Sequence, residues 1–89
     1  MDGIIKNNFG YCEYGFEKDY VHIYNLFIYP KFRNKGRARE ILQAVIDEIR
    51  KIYKGAIQIV ADPKEKGIDK KRLSTFYKNM GLEVYEYYG

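Results

Sequence analysis

The sequence is poor in the side chains that most enzymes use for catalysis or for metal binding. Its 89 residues include one cysteine, Cys12, one histidine, His22, one serine, one threonine and no tryptophan. A single cysteine excludes an internal disulfide and a zinc site of four cysteines. A serine–histidine–aspartate triad would require the one serine to meet the one histidine. We therefore expect no metal site, and we expect any reaction to use a cofactor that arrives already activated.

Long apolar runs are also missing. No stretch approaches the roughly 18–20 consecutive apolar residues that span a bilayer. Lys6, Asn7 and Asn8 stand where a signal peptide would have its apolar centre. Hydrophobic residues still make up 46% of the chain and charged residues 31%, which is typical of a folded globular protein. The sequence predicts one cytoplasmic domain over residues 1–89.

Positive charge is concentrated after residue 30. The chain has a net charge of +4, yet residues 1–30 hold two lysines against four acids. Residues 31–89 hold fourteen bases against eight acids. Five of these bases alternate along residues 31–39 with no acid among them. This local concentration of positive charge is suited to a polyanionic ligand.

The apolar pattern predicts six elements of secondary structure. Two aromatic-rich segments joined by a short polar turn predict a hairpin, with a bulge between Asn25 and Ile28 where the alternation is imperfect. Two segments with helical spacing follow, and Asp69 is the expected N-cap of the second. The elements lie at residues 9–16, 20–29, 37–53, 56–61, 70–79 and 82–88. The prediction is an α/β (α+β) domain with a mixed sheet, in the order β-β-α-β-α-β.

The segment between the second strand and the first helix has the properties of a phosphate-binding loop. A helix N-terminus exposes unpaired N–H groups and a partial positive charge. Gly36 and the small Ala38 would let a ligand approach the main chain closely. The alternative is a solvated basic loop that only connects a strand to a helix.

Two motifs carry a family resemblance. Arg33-x-x-Gly36-x-Ala38, between a strand and an amphipathic helix, resembles the acetyl-CoA loop of the GNAT superfamily of N-acetyltransferases, which has the form Gln/Arg-x-x-Gly-x-Gly/Ala. One helix and one strand later, the segment that begins Phe76-Tyr77 and ends in a Gly-Leu pair resembles the second signature of that family. The resemblance covers roughly residues 9–88.

The resemblance implies a truncated GNAT-like fold. The predicted elements lack the first strand and the first two helices that family members usually have, and those helices help to form the acceptor pocket. In size and layout the chain is similar to small phage-encoded GNAT proteins. The implied cofactor is acetyl-CoA, and the implied acceptor is a primary amine, which a wide groove would favour as a lysine of a protein partner.

The resemblance also implies a set of site residues. Main-chain N–H groups of residues 34–38 would hold the pyrophosphate, and nearby basic side chains could pair with phosphate oxygens. The strand main chain at the bulge would bind the acetyl carbonyl and the pantetheine arm, while Val60 and Ala61 diverge to open a slot. Tyr77 would give a proton to the leaving thiolate. The implied cofactor-binding residues are Leu26, Phe27, Ile28, Arg33, Asn34, Lys35, Gly36, Arg37, Ala38 and Arg39.

The group that accepts the proton of the amine stays open at the level of the sequence. Glu13, His22 and Tyr24 lie on the hairpin that would border the site, and any of them could act through water. Cys12 is expected to fill space in a strand rather than to act as a nucleophile. The basic cluster at residues 64–72 could reach the 3′-phosphate of the cofactor, or it could be a solvated surface.

Other functions remain as alternatives. The domain could be a catalytically inactive GNAT-like module that binds CoA or a protein. It could also be a basic nucleic-acid-binding domain with fifteen aromatic residues, although the aromatic pattern of an RNA-recognition motif is absent. A homodimer would cover a free sheet edge and the aromatic tail of Tyr85, Tyr87 and Tyr88.

Overall fold

One mixed sheet, with two helices packed against it, makes up the fold. The computed structural model describes residues 2–33, 35–61 and 69–86. In chain order the elements are β1 (Asp2–Lys6), β2 (Gly10–Phe16), β3 (Val21–Ile28), a short 3-10 turn (Pro30–Phe32), α1 (Arg37–Arg50), β4 (Ile57–Ala61), α2 (Lys70–Asn79) and β5 (Glu83–Glu86). The strands lie side by side in the order β1-β2-β3-β4-β5. The first two pairs are antiparallel and the last two are parallel, which confirms the predicted fold class.

One strand more than predicted precedes the first helix. β1 runs antiparallel to β2, with Asp2 opposite Gly15 and Lys6 opposite Tyr11. The expectation that no strand lies before the hairpin was therefore wrong, and the order is β-β-β-α-β-α-β. β1 is a short edge strand with alternating exposed residues, and Asp, Gly and Lys have low strand propensity, so its sequence carries little signal.

The other predicted elements are confirmed with small shifts of their ends. α1 is shorter than the predicted segment because the N–H groups of Ile52 and Tyr53 both donate to the Ile49 carbonyl, at 3.1 and 2.9 Å, and close the last turn. Tyr87 and Tyr88, which the prediction placed in the last strand, lie outside the described residues. In the described part of the chain neither helix is long and apolar enough to cross a membrane.

Both helices pack on the same face of the sheet. The connections from β3 to β4 and from β4 to β5 link adjacent parallel strands in the same direction, and right-handed crossovers then place both helices on one side. The Arg39 guanidinium of α1 lies over the Phe76 ring of α2, 5.6 Å from its centroid. The core fills the space between the helices and this face, and it includes Ile41, Leu42 and Ile49, which are fully buried.

The opposite face carries no helix in the described part of the chain, and we call it the open face. Strand register and the alternation of side chains assign its members. The residues of the open face are Asp2, Ile4 and Lys6 of β1, Tyr11, Glu13 and Gly15 of β2, His22, Tyr24, Asn25 and Phe27 of β3, Gln58 and Val60 of β4, and Glu83 and Tyr85 of β5.

A bulge in β3 keeps apolar side chains on the core face along the whole strand. The register with β2 shifts between Glu13, which lies opposite Asn25, and Tyr14, which lies opposite Ile23. Tyr24 is therefore the extra residue. Because one inserted residue reverses the alternation, the core-facing positions are odd-numbered before Tyr24 and even-numbered after it. The predicted bulge is confirmed in this strand, one residue before the predicted segment.

Gly10 is required for the close pairing of β2 and β3. A Cβ atom at Gly10 would overlap the carbonyl oxygen of Phe27 and lie 2.9 Å from the Cα of Ile28. Because the main chain cannot move aside cheaply, Gly10→Ala is expected to lower the free energy of unfolding by about 1–3 kcal/mol, measured by urea denaturation. Gly15→Ala is the matched control, since its Cβ would meet only the side chains of Asp2 and Tyr24. Equal losses in the two variants would contradict this role of Gly10.

Candidate active site

β3 and β4 separate at the end of the sheet where α1 begins. They pair over three residues only, from Val21 opposite Ile57 to Ile23 opposite Ile59. β3 then continues to Ile28 alongside β2, while β4 continues to Ala61 alongside β5. The two strands leave a wedge between residues 24–28 and residues 60–61. This is the separation that the resemblance implied.

The main chain of Leu26 faces this wedge. Hydrogen bonds alternate along an antiparallel pair, and the Tyr29 N–H donates to the Phe9 carbonyl at 2.8 Å. By that alternation Phe27 bonds to β2, whereas Leu26 and Ile28 direct their main-chain groups to the other side. The Ile28 carbonyl accepts a hydrogen bond from Arg33 Nε at 2.8 Å. Among the described residues no strand pairs with Leu26 on the wedge side.

Gly36 ends the loop after β3 and is the N-cap of α1. Its φ of 76° and ψ of 9° lie in the left-handed region, and no side chain caps the helix. A Cβ at this position would meet nothing within 4 Å among the described atoms, so a ligand can approach the main chain here. The first-turn N–H groups of Arg37, Ala38 and Arg39 consequently have no capping side chain, as in an anion site at a helix N-terminus. Asn34, which the prediction included, lies outside the described residues.

The arginines around this loop rest on aromatic rings. Contacts of this kind contribute about 0.5–1 kcal/mol each at exposed sites, and here they attach the loop and the start of α1 to the sheet and to α2. Lys35, by contrast, is exposed. The contacts, measured from guanidinium carbon to ring centroid, are Arg33 with Phe27 (5.1 Å), Arg37 with Phe9 (4.1 Å) and Arg39 with Phe76 (5.6 Å).

Arg37 contains a donor that an anion would satisfy. Its Nη1 donates to both carboxylate oxygens of Glu40, at 2.9 and 3.1 Å. Its Nε is buried and has no hydrogen-bond partner in the described part of the chain. A buried donor without an acceptor costs about 1–3 kcal/mol. Because this donor belongs to the first residue of α1, next to the uncapped N–H groups, the residues present fit a bound pyrophosphate.

Tyr77 lies on the buried side of α2. Its side chain is 6% exposed, and its ring centroid is 5.6 Å from that of Phe76. Its carbonyl accepts the N–H groups of Met80 and Leu82, at 3.0 and 3.2 Å, and so closes the helix. Asp69 caps the other end of α2 by accepting the Lys71 N–H at 3.0 Å, as predicted. The catalytic role that the resemblance gives to Tyr77 stays a prediction.

Comparison with known proteins agrees with this geometry. Residues 2–84 match the model of the acetyltransferase (GNAT) domain family. The chain belongs to the GNAT family. Among solved structures, the crystal structure of the anti-CRISPR protein AcrVA5 is similar to this one, with a TM-score of 0.69 over 88% of this chain and 79% of that chain. The two sequences are 24% identical, so this likeness shows a shared fold. No curated protein sequence matches the chain.

All three candidate proton acceptors of this GNAT domain lie on the open face. Glu13 Oε1 accepts a hydrogen bond from Asn25 Nδ2 at 3.4 Å, and His22 lies 6.1 Å from Tyr24 between ring centroids. The pKa of Tyr24 is raised above its usual value by partial desolvation and by the carboxylates of Asp2 and Glu13. Tyr24 therefore stays protonated near neutral pH, and it is better suited to donating a proton than to accepting one.

Sequence reasoning missed two contributors to the site. Asp2 reaches Tyr24 only because β1 pairs with β2, and β1 was not predicted. Glu40, which holds Arg37, could have been found from the i, i+3 spacing of opposite charges on a helix. Residues 64–68 of the predicted basic cluster, with Lys64 and Lys66, lie outside the described residues.

Cys12 is expected to be chemically inert in the folded domain. It is fully buried, and burial, together with the nearby Glu13 carboxylate, raises the pKa of its thiol to about 12. The thiol is therefore neutral at pH 7–9, and only the thiolate is a good nucleophile. A disulfide reagent such as DTNB should label almost none of the native protein and one thiol per chain in urea. Rapid labelling of the native protein would show that Cys12 is accessible.

Proposed function

We propose that this domain is an N-acetyltransferase that transfers an acetyl group from acetyl-CoA to a primary amine, a lysine of a protein partner, by direct attack in a ternary complex. The observation that carries the proposal is the meeting of three features at one end of the sheet. They are the wedge between β3 and β4, the main chain of Leu26 that faces it, and the uncapped N-terminus of α1. Membership of the GNAT family supports the same reaction.

The cofactor would be held mainly by main-chain groups. The N–H groups at the start of α1, from Gly36 to Ala38, would bind the pyrophosphate, and Arg37 Nε would gain its missing acceptor. The main chain from Leu26 to Ile28 would bind the pantetheine arm along the edge of β3. Exposed bases such as Lys35 add long-range attraction, but exposed ion pairs contribute little individually.

The chemistry requires few side chains. Bound acetyl-CoA supplies a thioester carbon that an amine can attack. The Leu26 N–H would donate a hydrogen bond to the carbonyl oxygen, where negative charge develops. The Tyr77 hydroxyl would give its proton to the sulfur as the carbon–sulfur bond breaks. The amine must first lose a proton, since a lysine has a pKa near 10.4, and Glu13 and His22 on the open face are the candidates to receive it.

The open face is broad enough for a macromolecular acceptor. No helix of the described chain covers it, so the acceptor side of the wedge is broad rather than a closed pocket. The charges around the exposed Tyr24 ring disfavour nucleic acid, because the nearby carboxylates of Asp2 and Glu13 repel phosphates.

A charge substitution at Gly36 tests the cofactor site. Gly36→Asp places a carboxylate at the N-terminus of α1, and Gly36→Asn is the matched control with the same size and no charge. Asp should weaken acetyl-CoA binding at least about tenfold more than Asn does, because its carboxylate would repel the pyrophosphate of the cofactor. A tenfold loss of affinity corresponds to about 1.4 kcal/mol. The measurement is calorimetric titration, repeated in high salt. If wild-type binding vanishes in salt, or if the two variants bind equally, the loop is only a generic basic surface.

Removal of one hydroxyl tests catalysis. Tyr77→Phe should lower turnover by about 100-fold or more, the usual loss of a general acid, while the affinity for acetyl-CoA stays the same. Tyr53→Phe is the control, since the Tyr53 hydroxyl donates to the Asp19 carbonyl at 2.9 Å at the far end of the sheet. Turnover is followed by thiol release with a lysine peptide as acceptor. Wild-type cofactor binding without any turnover would favour the inactive, binding-only alternative.

A further inference from the structure

The open face exposes apolar surface that a partner could cover. Three large hydrophobic side chains on it are exposed, namely Ile4 (57%), Tyr24 (44%) and Tyr85 (50%). The rings of His22 and Tyr24 in β3 continue a row that starts at Tyr20, just before the strand, with centroid separations of 6.4 and 6.1 Å. Apolar and aromatic surface that clusters on one side of a protein is typical of an interaction site.

The open face is acidic although the chain as a whole is basic. Its ionised strand side chains are Asp2, Glu13 and Glu83 against Lys6, and the Arg33 guanidinium covers the Phe27 ring at the end of this face near the loop before α1. The chain has a net charge of +4, so its excess of positive charge lies elsewhere, including the loop before α1. The part of the open face around Asp2 and Glu13 and the loop before α1 therefore attract ligands of opposite sign.

The acidic groups gather around the bulge. Gly15 has no side chain, and the position that its Cβ would take is 2.7 Å from Asp2 Oδ1 and 3.4 Å from the Tyr24 ring. Glu13 is the next residue of β2 on this face and bonds to Asn25 at 3.4 Å. Both carboxylates act electrostatically on the Tyr24 phenol. Two carboxylates beside an exposed aromatic ring suit an alkylammonium or guanidinium group, through ion pairing and a cation–π contact.

We propose that the open face docks a lysine- or arginine-rich segment of a partner protein, and that Asp2, Glu13 and Tyr24 form the contact for one of its cationic side chains. This inference rests on the proposed function, since the docked segment would contain or flank the acceptor lysine. Surfaces of opposite charge would hold the cofactor and the docked segment at different places on the domain. The polyanionic cofactor is attracted to the loop before α1, and the cationic segment to the open face, where complementary charge favours specificity and rapid association.

Direct peptide binding tests the docking surface. The probes are two fluorescent peptides of equal length, a lysine–glycine repeat and a glutamate–glycine repeat, measured by anisotropy at low ionic strength. The lysine peptide should bind although the protein itself carries a net positive charge. Glu13→Lys should weaken its binding at least about fivefold, and Tyr24→Leu, which keeps an apolar side chain but removes the ring, about twofold or more.

A matched charge reversal on the opposite side is the control. Glu48 lies on the exposed side of α1, where it pairs with Lys51 at 3.0 Å. Glu48→Lys changes the net charge as much as Glu13→Lys does, and it should alter binding by less than about twofold. Urea denaturation verifies that the variants fold. If the lysine peptide does not bind, or if the two reversals weaken it equally, net charge rather than the open face governs the interaction and the proposal is overturned.

Acetylation assays separate this proposal from the proposed function. The acceptors are two peptides with one central lysine each, flanked by arginines or by glutamates, and mass spectrometry measures the product. Preference for the arginine-flanked peptide supports both proposals if Asp2→Lys raises the KM for that peptide while the KM for acetyl-CoA is unchanged. If both peptides are acetylated equally well, the docking proposal is overturned and the proposed acetyltransferase activity is retained. Peptide binding without acetylation supports the docking surface and counts against the enzyme.

Discussion

The extra residue at Tyr24 is the constraint on which the rest of this domain depends. Side chains alternate along a strand, so an uninterrupted β3 would turn either Ile23 or Leu26 away from the core. The bulge lets both halves of the strand face the helices. It comes directly after the last residue pair with β4, at Ile23 and Ile59, where the two strands begin to separate. One inserted residue thus completes the core, lies at the start of the wedge and directs Tyr24 toward the open face.

In the basic loop before α1, the side chains and the main chain have different roles. Arg33 and Arg37 lie against the rings of Phe27 and Phe9, and each also donates a hydrogen bond, to the Ile28 carbonyl and to the Glu40 carboxylate. These contacts fix the end of β3 relative to the start of α1. The N–H groups of the first helical turn are then held in place without a capping side chain. A rigid row of N–H groups binds an anion at a lower entropic cost than flexible side chains do.

The sequence by itself determined the fold class, most of the elements and the position of the basic loop that ends at Gly36. These features depend on local patterns: helical spacing in α1, the aromatic and β-branched residues of β2 and β3, and the left-handed conformation that Gly36 adopts at little cost. The sequence also predicted the bulge, because an imperfect alternation is visible without knowledge of the neighbouring strands. It could not reveal β1, because three of its five residues, Asp2, Gly3 and Lys6, have low strand propensity and the segment is short.

Only the tertiary structure decided which groups meet. Asp2 and Tyr24 are far apart in the sequence, and the pairing of β1 with β2 brings them together over Gly15. The arginines that look like phosphate ligands in the sequence prove to rest on rings contributed by other elements. The position of three carboxylates, Asp2, Glu13 and Glu83, on one face of a basic chain is likewise invisible in a count of residues. Strand register and crossover handedness act over long distances in the chain, whereas sequence patterns report only on near neighbours.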